Sequence, residues 1–273
     1  MEGAVNLKLT MESGQPPHFT WKKEGNKYWR LIDGKRVEIW QAGDNVKVTP
    51  GYGWVARKLL RADDDLGKVY ARLIDDEHLA EAVSRYSGLR LTKSEAWETL
   101  VCYICSVNRN IPQIRKDVQK LMRADGWMME PEELAKAKLP ASLGFRAKYL
   151  SETARMVADG EVHLGRLSYL TYEEAKEQLL RLPGVGPKVA DCVLLFAYGR
   201  DEAFPADVWV KRAMHKLYGI KGEKKIGEYA RKKWGLHAGY AQQYLFMYAR
   251  EALNARQGKE GKKKEGYEVV RRK

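Results

Sequence analysis

The stretch Leu182-Pro183-Gly184-Val185-Gly186-Pro187-Lys188 decides the fold of this chain. Residues with helical spacing lie on both sides of it, so it predicts two helices joined by a glycine turn. Glycine permits close backbone approach, and the amides of such a turn beside a helix N-terminus bind anions. The pattern indicates a helix-hairpin-helix element, which contacts a nucleic-acid backbone without reading its bases. An ordinary pair of helices is the plainer alternative.

Two ionisable residues accompany the hairpin. Lys188 opens its second helix, and Asp207 follows shortly after that helix. A neutral amine is a good nucleophile, and apolar neighbours such as Val189 and Val193 favour the uncharged form. A carboxylate can stabilise positive charge on a sugar and assist proton transfer. The pair therefore predicts an amine nucleophile with an acid partner, while the plainer interpretations are a surface lysine and a helix-capping aspartate.

The chain is strongly basic. Its 273 residues carry a formal net charge of +13 at pH 7, with a pI of about 9.5. The segment Gln257–Lys273 holds seven Lys/Arg and three Glu, so most of the excess charge lies elsewhere in the chain. A basic body favours a polyanionic partner, although a solubility-enhancing surface has the same composition.

The three cysteines are too few for a disulfide framework, and they indicate a reduced, intracellular setting. No apolar run approaches the roughly 18 residues of a membrane span. The start Met1–Val5 lacks the layout of a secretion signal. We therefore expect no membrane partner.

The hydrophobic pattern changes once along the chain. Residues 1–75 are predicted to be β-rich, with apolar alternation in Val5–Met11 and short strands at Tyr28–Leu31, Arg36–Trp40 and Asn45–Val48. From about Asp76 the spacing becomes helical. The predicted helices after residue 90 are Ser94–Ser106, Ile111–Ala124, Phe145–Ala158, Tyr172–Arg181, Val189–Tyr198, Val208–Tyr218 and Tyr240–Ala255.

These patterns predict an α+β chain in which a small N-terminal antiparallel β domain precedes an all-helical helix-hairpin-helix domain. We place the β-rich domain at residues 1–90, the helical catalytic domain at 91–256 and a basic, flexible tail at 257–273. The second half shows no alternation of strands and helices, which argues against a doubly wound fold.

Four more motifs accompany the hairpin. They are Ser13–Trp21, Ile104–Ile111, Leu143–Tyr149 and Ala238–Phe246. Together with Leu182–Val208 they resemble the eukaryotic-type 8-oxoguanine DNA glycosylases of the helix-hairpin-helix superfamily, over roughly residues 10–250. The resemblance implies a bifunctional glycosylase and AP lyase that acts as a monomer on double-stranded DNA containing oxidised guanine.

The resemblance also implies roles for the hairpin residues. Lys188 would attack C1′ of the damaged nucleotide, expel the base and form a Schiff base that permits β-elimination at the 3′ side. Asp207 would be the catalytic carboxylate. Gly184, Val185 and Gly186 would contact the DNA backbone.

By the same resemblance, the flipped base lies between Phe246 and Cys192, with Gln242 hydrogen-bonded to its Watson–Crick edge. The Gly14 carbonyl would accept the N7–H that distinguishes 8-oxoguanine from guanine. Gln242 and Phe246 are four residues apart and share one helical face. Without the resemblance, the sequence predicts that Phe246 and Cys192 are core residues and that Gly14 is a turn glycine.

Three residues are implied on the duplex side. Asn108 would enter the space that the base leaves, Phe145 would wedge beside it, and Arg146 would face the orphaned partner base, expected to be cytosine. Exposed polar residues without such a role are the alternative for Asn108 and Arg146.

Four departures from the family pattern concern specificity. Two residues within Pro16-Pro17-His18 are inserted after the Gly14 motif. Gln113 stands where the family places a second arginine, Trp209 replaces a histidine, and Ala249 replaces an acidic residue. These changes leave the opposite-base preference open.

The sequence predicts no required metal or cofactor. Cys102 and Cys105 lie in an apolar helical pattern and indicate core cysteines. Three scattered cysteines cannot hold a four-cysteine iron–sulfur cluster, and the five histidines show no zinc spacing. A loosely held cation at the Gly184–Gly186 turn is left open.

Two other functions stay open. An alkylbase glycosylase has the same two-domain layout but typically lacks a lysine at position 188 and the Gln242 and Phe246 pair. A noncatalytic helix-hairpin-helix DNA-binding protein would need neither Asp207 nor a base pocket.

Overall fold

A computed structural model describes residues 5–251 of the chain. Four strands come early in that range, and helices account for most of the remainder. The strands are β1 Lys22–Glu24, β2 Lys27–Ile32, β3 Lys35–Ala42 and β4 Asn45–Val48. The helices are α1 Leu7–Met11, α2 Pro16–Thr20, α3 Gly53–Leu59, α4 Leu66–Leu73, α5 Glu77–Arg85, α6 Ala96–Cys105, α7 Ile111–Gln119, α8 Pro131–Lys136, α9 Arg146–Ala158, α10 Tyr172–Leu180, α11 Pro187–Val193, α12 Val208–Tyr218, α13 Glu223–Trp234 and α14, residues 238–251.

The strands form one antiparallel sheet in the order β1-β2-β3-β4. Tyr28 pairs with Ile39, and Arg30 pairs with Val37, so one face of the sheet is buried. Turns with glycine at positive φ join the strands, as a two-residue hairpin requires. The three predicted strands are confirmed, and the fold is α+β with the sheet before the helices.

The prediction of a strand over Val5–Met11 was wrong, because this segment contains α1. The Asn6 side chain accepts a hydrogen bond from the Leu9 amide and caps the helix. Leu7 and Met11, four residues apart, are both buried on one face. Apolar residues at every second position satisfied the helical spacing as well as the strand spacing.

Two apolar cores organise the described residues. The smaller one joins the buried face of the sheet to α1 and α3, and the larger one joins the helices from α4 onward. Arg30 on β2 makes two hydrogen bonds to the Glu98 carboxylate on α6, at 3.2 and 3.0 Å, and thereby ties the sheet to the helices. Both side chains are buried, so losing either partner would cost about 3–5 kcal/mol.

The predicted domain boundary at residue 90 stays a prediction. The apolar side chains of α4 and α5, which precede that boundary, pack in the larger core. The predicted basic tail, residues 257–273, lies outside the described residues. No helix within residues 5–251 has the length and apolarity needed to cross a membrane.

Candidate active site

The predicted glycine hairpin joins α10 and α11. Gly184 has φ +79, and a Cβ atom there would lie 2.8 Å from the Tyr149 ring, so only glycine fits. Gly186 has φ −92, which any residue adopts, and open space surrounds it. Its exposure leaves the backbone accessible at the start of α11. Val185 is buried and packs the turn against the helices.

The hairpin is also tied to α9. The Thr153 hydroxyl donates to the Pro183 carbonyl at 2.9 Å. The Tyr149 ring that covers Gly184 meets the Phe145 ring edge-on, with centroids 5.7 Å apart. A continuous row of contacts therefore runs from the turn to Phe145, half of whose surface is exposed.

Lys188 is the second residue of α11, and its amine is held by α6. Its Nζ donates to the Ser106 hydroxyl at 3.1 Å and lies 4.7 Å from the centroid of the Tyr103 ring. Tyr103 is itself fixed, because its ring stacks on Phe196 and its hydroxyl donates to the Gly14 carbonyl at 3.4 Å. The amine is thus positioned at the cavity wall.

Asp207 caps α12. Its Oδ1 accepts hydrogen bonds from the amides of Trp209 and Val210, at 3.0 and 2.8 Å. Burial raises the pKa of the carboxyl above its ordinary value, while the Val210 amide and the positive charge of Lys188 oppose that rise. Because both cap bonds go to Oδ1, the other oxygen lies outside the cap.

These groups surround one cavity of about 720 Å³. Most of the predicted site residues line it, from five separate parts of the chain. They are Gly14, Asn108, Gly184, Gly186, Lys188, Cys192, Asp207, Gln242 and Phe246. Val185, Phe145 and Arg146 are not among the lining residues.

The floor of the cavity carries an unsatisfied amide. Gln242 is buried on α14, and its Oε1 has no hydrogen-bond partner among the described residues. A buried carbonyl oxygen without a partner is costly unless a ligand supplies a donor. Phe246, one turn further along α14, lines the same cavity.

Cys192 lies on α11 one turn after Lys188 and is buried. Burial raises the pKa of its thiol to about 12. The group is therefore a neutral thiol at physiological pH, and a neutral thiol is a weak nucleophile.

Gly14 borders the Phe246 side of the cavity. It has φ +81, and a Cβ atom there would lie 3.4 Å from the Phe246 ring. Its amide donates to Nδ1 of His18 at 3.1 Å, and burial lowers the pKa of His18 to about 4, so this nitrogen stays an acceptor. Pro16-Pro17-His18, the stretch that contains the predicted two-residue insertion, begins α2 and brings His18 to the Gly14 amide.

Two buried glutamines complete that turn. The Gln15 amide nitrogen donates to the Arg90 carbonyl, and its oxygen accepts from the Thr92 amide. Gln243 donates to the Ser13 carbonyl at 3.1 Å. The backbone around Gly14 is consequently held both by residues 90–92 and by α14.

Arg146 does not line the cavity but supports the loop that does. Its guanidinium donates to the carbonyls of Val107, Leu143 and Asn108, at 2.6, 3.1 and 3.0 Å. Asn108 has φ +50, a conformation that asparagine tolerates better than most residues. Arg146 therefore holds the backbone of this strained loop in place.

Gln113 is also engaged within the loop region. Its Oε1 accepts from Arg109 at 3.2 Å, and Arg109 further contacts the Ser142 carbonyl. Arg109 lies 3.7 Å from the buried Asp117 carboxylate. The guanidinium nearest to position 113 thus belongs to Arg109.

Comparisons with known proteins agree with this arrangement. Residues 1–100 match the sequence model of the 8-oxoguanine DNA glycosylase N-terminal domain, and residues 101–236 match that of the HhH-GPD superfamily of base excision DNA repair proteins. A solved structure of MBOgg1 with a low-affinity DNA ligand is 35% identical, with a TM-score of 0.83 over 92% of this chain and 93% of that one. The chain belongs to the 8-oxoguanine DNA glycosylase family.

Other members of the family show the same relation. The Clostridium acetobutylicum 8-oxoguanine glycosylase/lyase, solved with DNA containing cytosine opposite 8-oxoG, is 32% identical, with a TM-score of 0.83 over 92% of this chain and 93% of that one. A probable N-glycosylase/DNA lyase of Methanothermobacter thermautotrophicus is 28% identical over 92% of this chain and 95% of its own length.

The sequence did not single out Tyr103, Ser106, Gln243 or Arg250, all of which line the cavity. Ser106 and Gln243 lie inside motifs that resemble the 8-oxoguanine DNA glycosylases, so those motifs carried a signal for them. Tyr103 directly precedes one such motif. No pattern pointed to Arg250.

Among residues 5–251, no group of three or more His, Cys, Asp or Glu side chains is placed to hold a metal ion. Cys102 and Cys105 are buried and unpaired, which confirms their prediction as core residues.

Proposed function

We propose that this protein is a bifunctional DNA glycosylase and AP lyase that excises 8-oxoguanine from double-stranded DNA. The observation that carries the proposal is one cavity that brings Lys188 and Asp207 together with the unpartnered amide of Gln242. The names of its relatives, N-glycosylase/DNA lyase and 8-oxoguanine glycosylase/lyase, support it.

The reaction begins when the target nucleotide rotates out of the duplex into the cavity. The Lys188 amine attacks C1′ of the sugar, and a C1′–N bond to the enzyme forms as the glycosidic bond breaks. The base leaves with the bonding electron pair and takes up a proton. The sugar ring then opens to a protonated Schiff base between Lys188 and C1′.

The lyase step follows from that Schiff base. Loss of a C2′ proton sends electrons toward the iminium, and the C3′–O bond breaks with the phosphate as leaving group. Water then hydrolyses the unsaturated imine and regenerates the amine. Ser106 and Tyr103 position the amine, and the ionised Asp207 stabilises positive charge as it develops on the sugar.

Base recognition uses the cavity floor and the Gly14 turn. The free Oε1 of Gln242 accepts a hydrogen bond from the Watson–Crick edge of guanine. Phe246 and Cys192 contact the faces of the base. The Gly14 carbonyl, already held by Tyr103, accepts the N7–H that 8-oxoguanine has and guanine lacks.

The Gly184–Gly186 hairpin and the loop that carries Asn108 bind the duplex in this proposal. The open backbone around Gly186 receives a phosphate at the start of α11, with Gly184 and Val185 shaping the turn. Asn108 fills the gap in the helix and Phe145 wedges beside it. We propose that Arg146 acts mainly by holding Asn108, because three carbonyls already engage its guanidinium.

Domain organisation and location follow the same proposal. The β-rich part, residues 1–90, supplies the Gly14 turn, and residues 91–256 supply the catalytic helices. An enzyme with this substrate works inside the cell, in the nucleoid or in a nucleus. If a cation binds at the hairpin, the backbone of the Gly184–Gly186 turn would hold it, and its charge would favour a nearby phosphate.

Strand cleavage tests the function directly. End-labelled duplexes carry 8-oxoguanine opposite cytosine, a methylated purine or no lesion, and products are separated before and after alkali. We expect cleavage without alkali only for 8-oxoguanine, and covalent trapping by borohydride. Alkali-dependent cleavage of the methylated purine would support the alkylbase alternative, and equal binding of all duplexes without cleavage would support a binding module.

A further inference from the structure

Arg250 is a half-buried arginine whose guanidinium makes no hydrogen bond or ion pair with any described residue. It lies on α14 and lines the active-site cavity. Its guanidinium carbon is 5.9 Å from the centroid of the Phe246 ring. Among residues 5–251, no hydrogen bond or ion pair engages the guanidinium, although most other arginines in that range have a carboxylate or carbonyl partner.

The position of Arg250 relative to the floor follows from helix geometry. Gln242, Phe246 and Arg250 are spaced by four residues and share one face of α14. At 1.5 Å per residue, Arg250 lies about 12 Å along the helix from Gln242. Gln242 is buried and Arg250 is only partly so, which means that this face runs from the floor of the cavity to its mouth.

The described carboxylates around Arg250, Asp207 in the cavity and Glu12 and Glu251 on its outer side, form no ion pair with its guanidinium. Burial lowers the pKa of its guanidinium, and the charge of Asp207 acts in the opposite direction. Asp207 nevertheless directs Oδ1 to its helix cap, and the two side chains form no ion pair. A partly buried charge without a partner is unfavourable, so an anionic ligand at this place would be bound strongly.

DNA brings two candidate anions to the cavity. One is a phosphate beside the flipped nucleotide, and the other is the base as it departs with the bonding electrons. The base reaches toward Gln242 at the floor, whereas the sugar and its phosphates stay near the mouth. A guanidinium at the mouth matches the phosphate, whose oxygens fit its planar pair of donors.

We propose that Arg250 binds a phosphate that flanks the flipped nucleotide, as a second phosphate site separate from the Gly184–Gly186 hairpin. The inference rests on the proposed function. Bound there, the phosphate would fix the sugar between Lys188 and Asp207. Arg250 is in this sense a positioning residue, since it does not touch the reacting carbon.

The first experiment measures affinity for a duplex that contains a tetrahydrofuran abasic analogue, which has the phosphates but no base. The variants are Arg250→Ala and Arg250→Lys. The control is Arg57→Ala, which removes the same charge from an exposed residue paired with Asp63. We expect Arg250→Ala to bind about tenfold more weakly, with the slope of log K against log salt reduced by about 0.9, and Arg250→Lys to retain part of the affinity.

The second experiment identifies the phosphate. Duplexes with a neutral methylphosphonate at the 5′ or the 3′ phosphate of the analogue are bound by wild type and Arg250→Ala. At one of the two positions, the difference between the proteins should disappear. A difference that persists at both positions, or an unchanged affinity of Arg250→Ala for every duplex, would overturn the proposal.

The two proposals can fail separately. Slower cleavage of 8-oxoguanine by Arg250→Ala with unchanged affinity for the abasic analogue would assign Arg250 to the departing base instead. If wild type cleaves no 8-oxoguanine duplex but the methylphosphonate result holds, the proposed function fails while the phosphate site stands. Arg250→Ala should melt at a temperature equal to or above that of wild type, because no described residue hydrogen-bonds the guanidinium and its burial is unfavourable.

Discussion

The two sides of the cavity differ in what holds their side chains. On one side, called the catalytic side after the proposed reaction, Lys188 and Asp207 stand at the starts of α11 and α12, and each is held by one or two hydrogen bonds. On the other side, called the loop side, Asn108 has a positive φ, and the guanidinium of Arg146 donates hydrogen bonds to three backbone carbonyls. On the first side, the proposed reactive groups line the cavity. On the second side, Arg146 holds the backbone of the loop and does not line the cavity itself.

Because of this difference, we expect substitutions on one side to affect the cleavage reaction and substitutions on the other to affect the choice of duplex. The helix starts fix where Lys188 and Asp207 leave the backbone, and Ser106 and Tyr103 then hold the Lys188 amine. The loop side depends on long-range contacts between residues 107–109, 113, 142–143 and 146. Substitutions at these residues should change the preference among duplexes more than they change the cleavage reaction.

The largest expected effect tests the catalytic side. Lys188→Gln removes the proposed nucleophile, and we expect strand cleavage to fall by at least about a thousandfold with complete loss of borohydride trapping. Lys68→Gln, an exposed lysine on α4, is the control and should trap normally. Trapping that survives in Lys188→Gln would assign the nucleophile to another residue.

Asp207→Asn should slow cleavage by about a hundredfold while leaving the fold intact. Burial raises the pKa of Asp207, so its contribution to stability is favourable below the ordinary value of 3.8 and is lost as pH rises through the raised pKa. Asparagine keeps the cap without the charge. Its melting temperature at pH 7 should therefore equal or exceed that of wild type, and the gap should close toward pH 4.

The pH profile gives a second measurement on the same variant. Wild-type activity should fall on the acidic side as Asp207 becomes protonated, at a pH above 3.8. The residual activity of Asp207→Asn should lack that limb. An identical acidic limb in both proteins would mean that another group titrates there.

Arg146→Ala tests the loop side. Loss of three buried hydrogen bonds should lower the free energy of unfolding by about 2–4 kcal/mol and reduce cleavage by about tenfold. Arg155→Ala, on the same helix and exposed, is the matched control and should change neither quantity much. A stable Arg146→Ala that loses only cytosine preference would show that the arginine contacts the partner base.

Gln113→Arg should have the smallest effect, a few-fold shift in preference among opposing bases. Gln113 is exposed and accepts a hydrogen bond from Arg109, so wild type should cleave 8-oxoguanine opposite all four bases within about a tenfold range. An added guanidinium at position 113 should favour cytosine by pairing with its acceptors. Rates against the four bases measure the change, and an unchanged ranking would remove position 113 from selectivity.

The sequence predicted the features that neighbouring residues encode. The hairpin, the three strands and most helices follow from spacing and turn residues, and the motif order located the cavity. It failed over Val5–Met11, where alternating apolar residues fit either period. The support from His18 to Gly14 and from Arg146 to Asn108 was not predicted, because such contacts depend on where a folded chain places its segments.

The packing of Gly184 against Tyr149, and of Tyr149 against Phe145, joins the proposed phosphate-binding turn to the proposed wedge residue by direct contacts. A duplex that contacts both must bend wherever its shape does not match the protein. Bending energy depends on local sequence and is lower where stacking is already weakened. Residence time along a chromosome would then vary with the stiffness of the DNA, before any base has been examined.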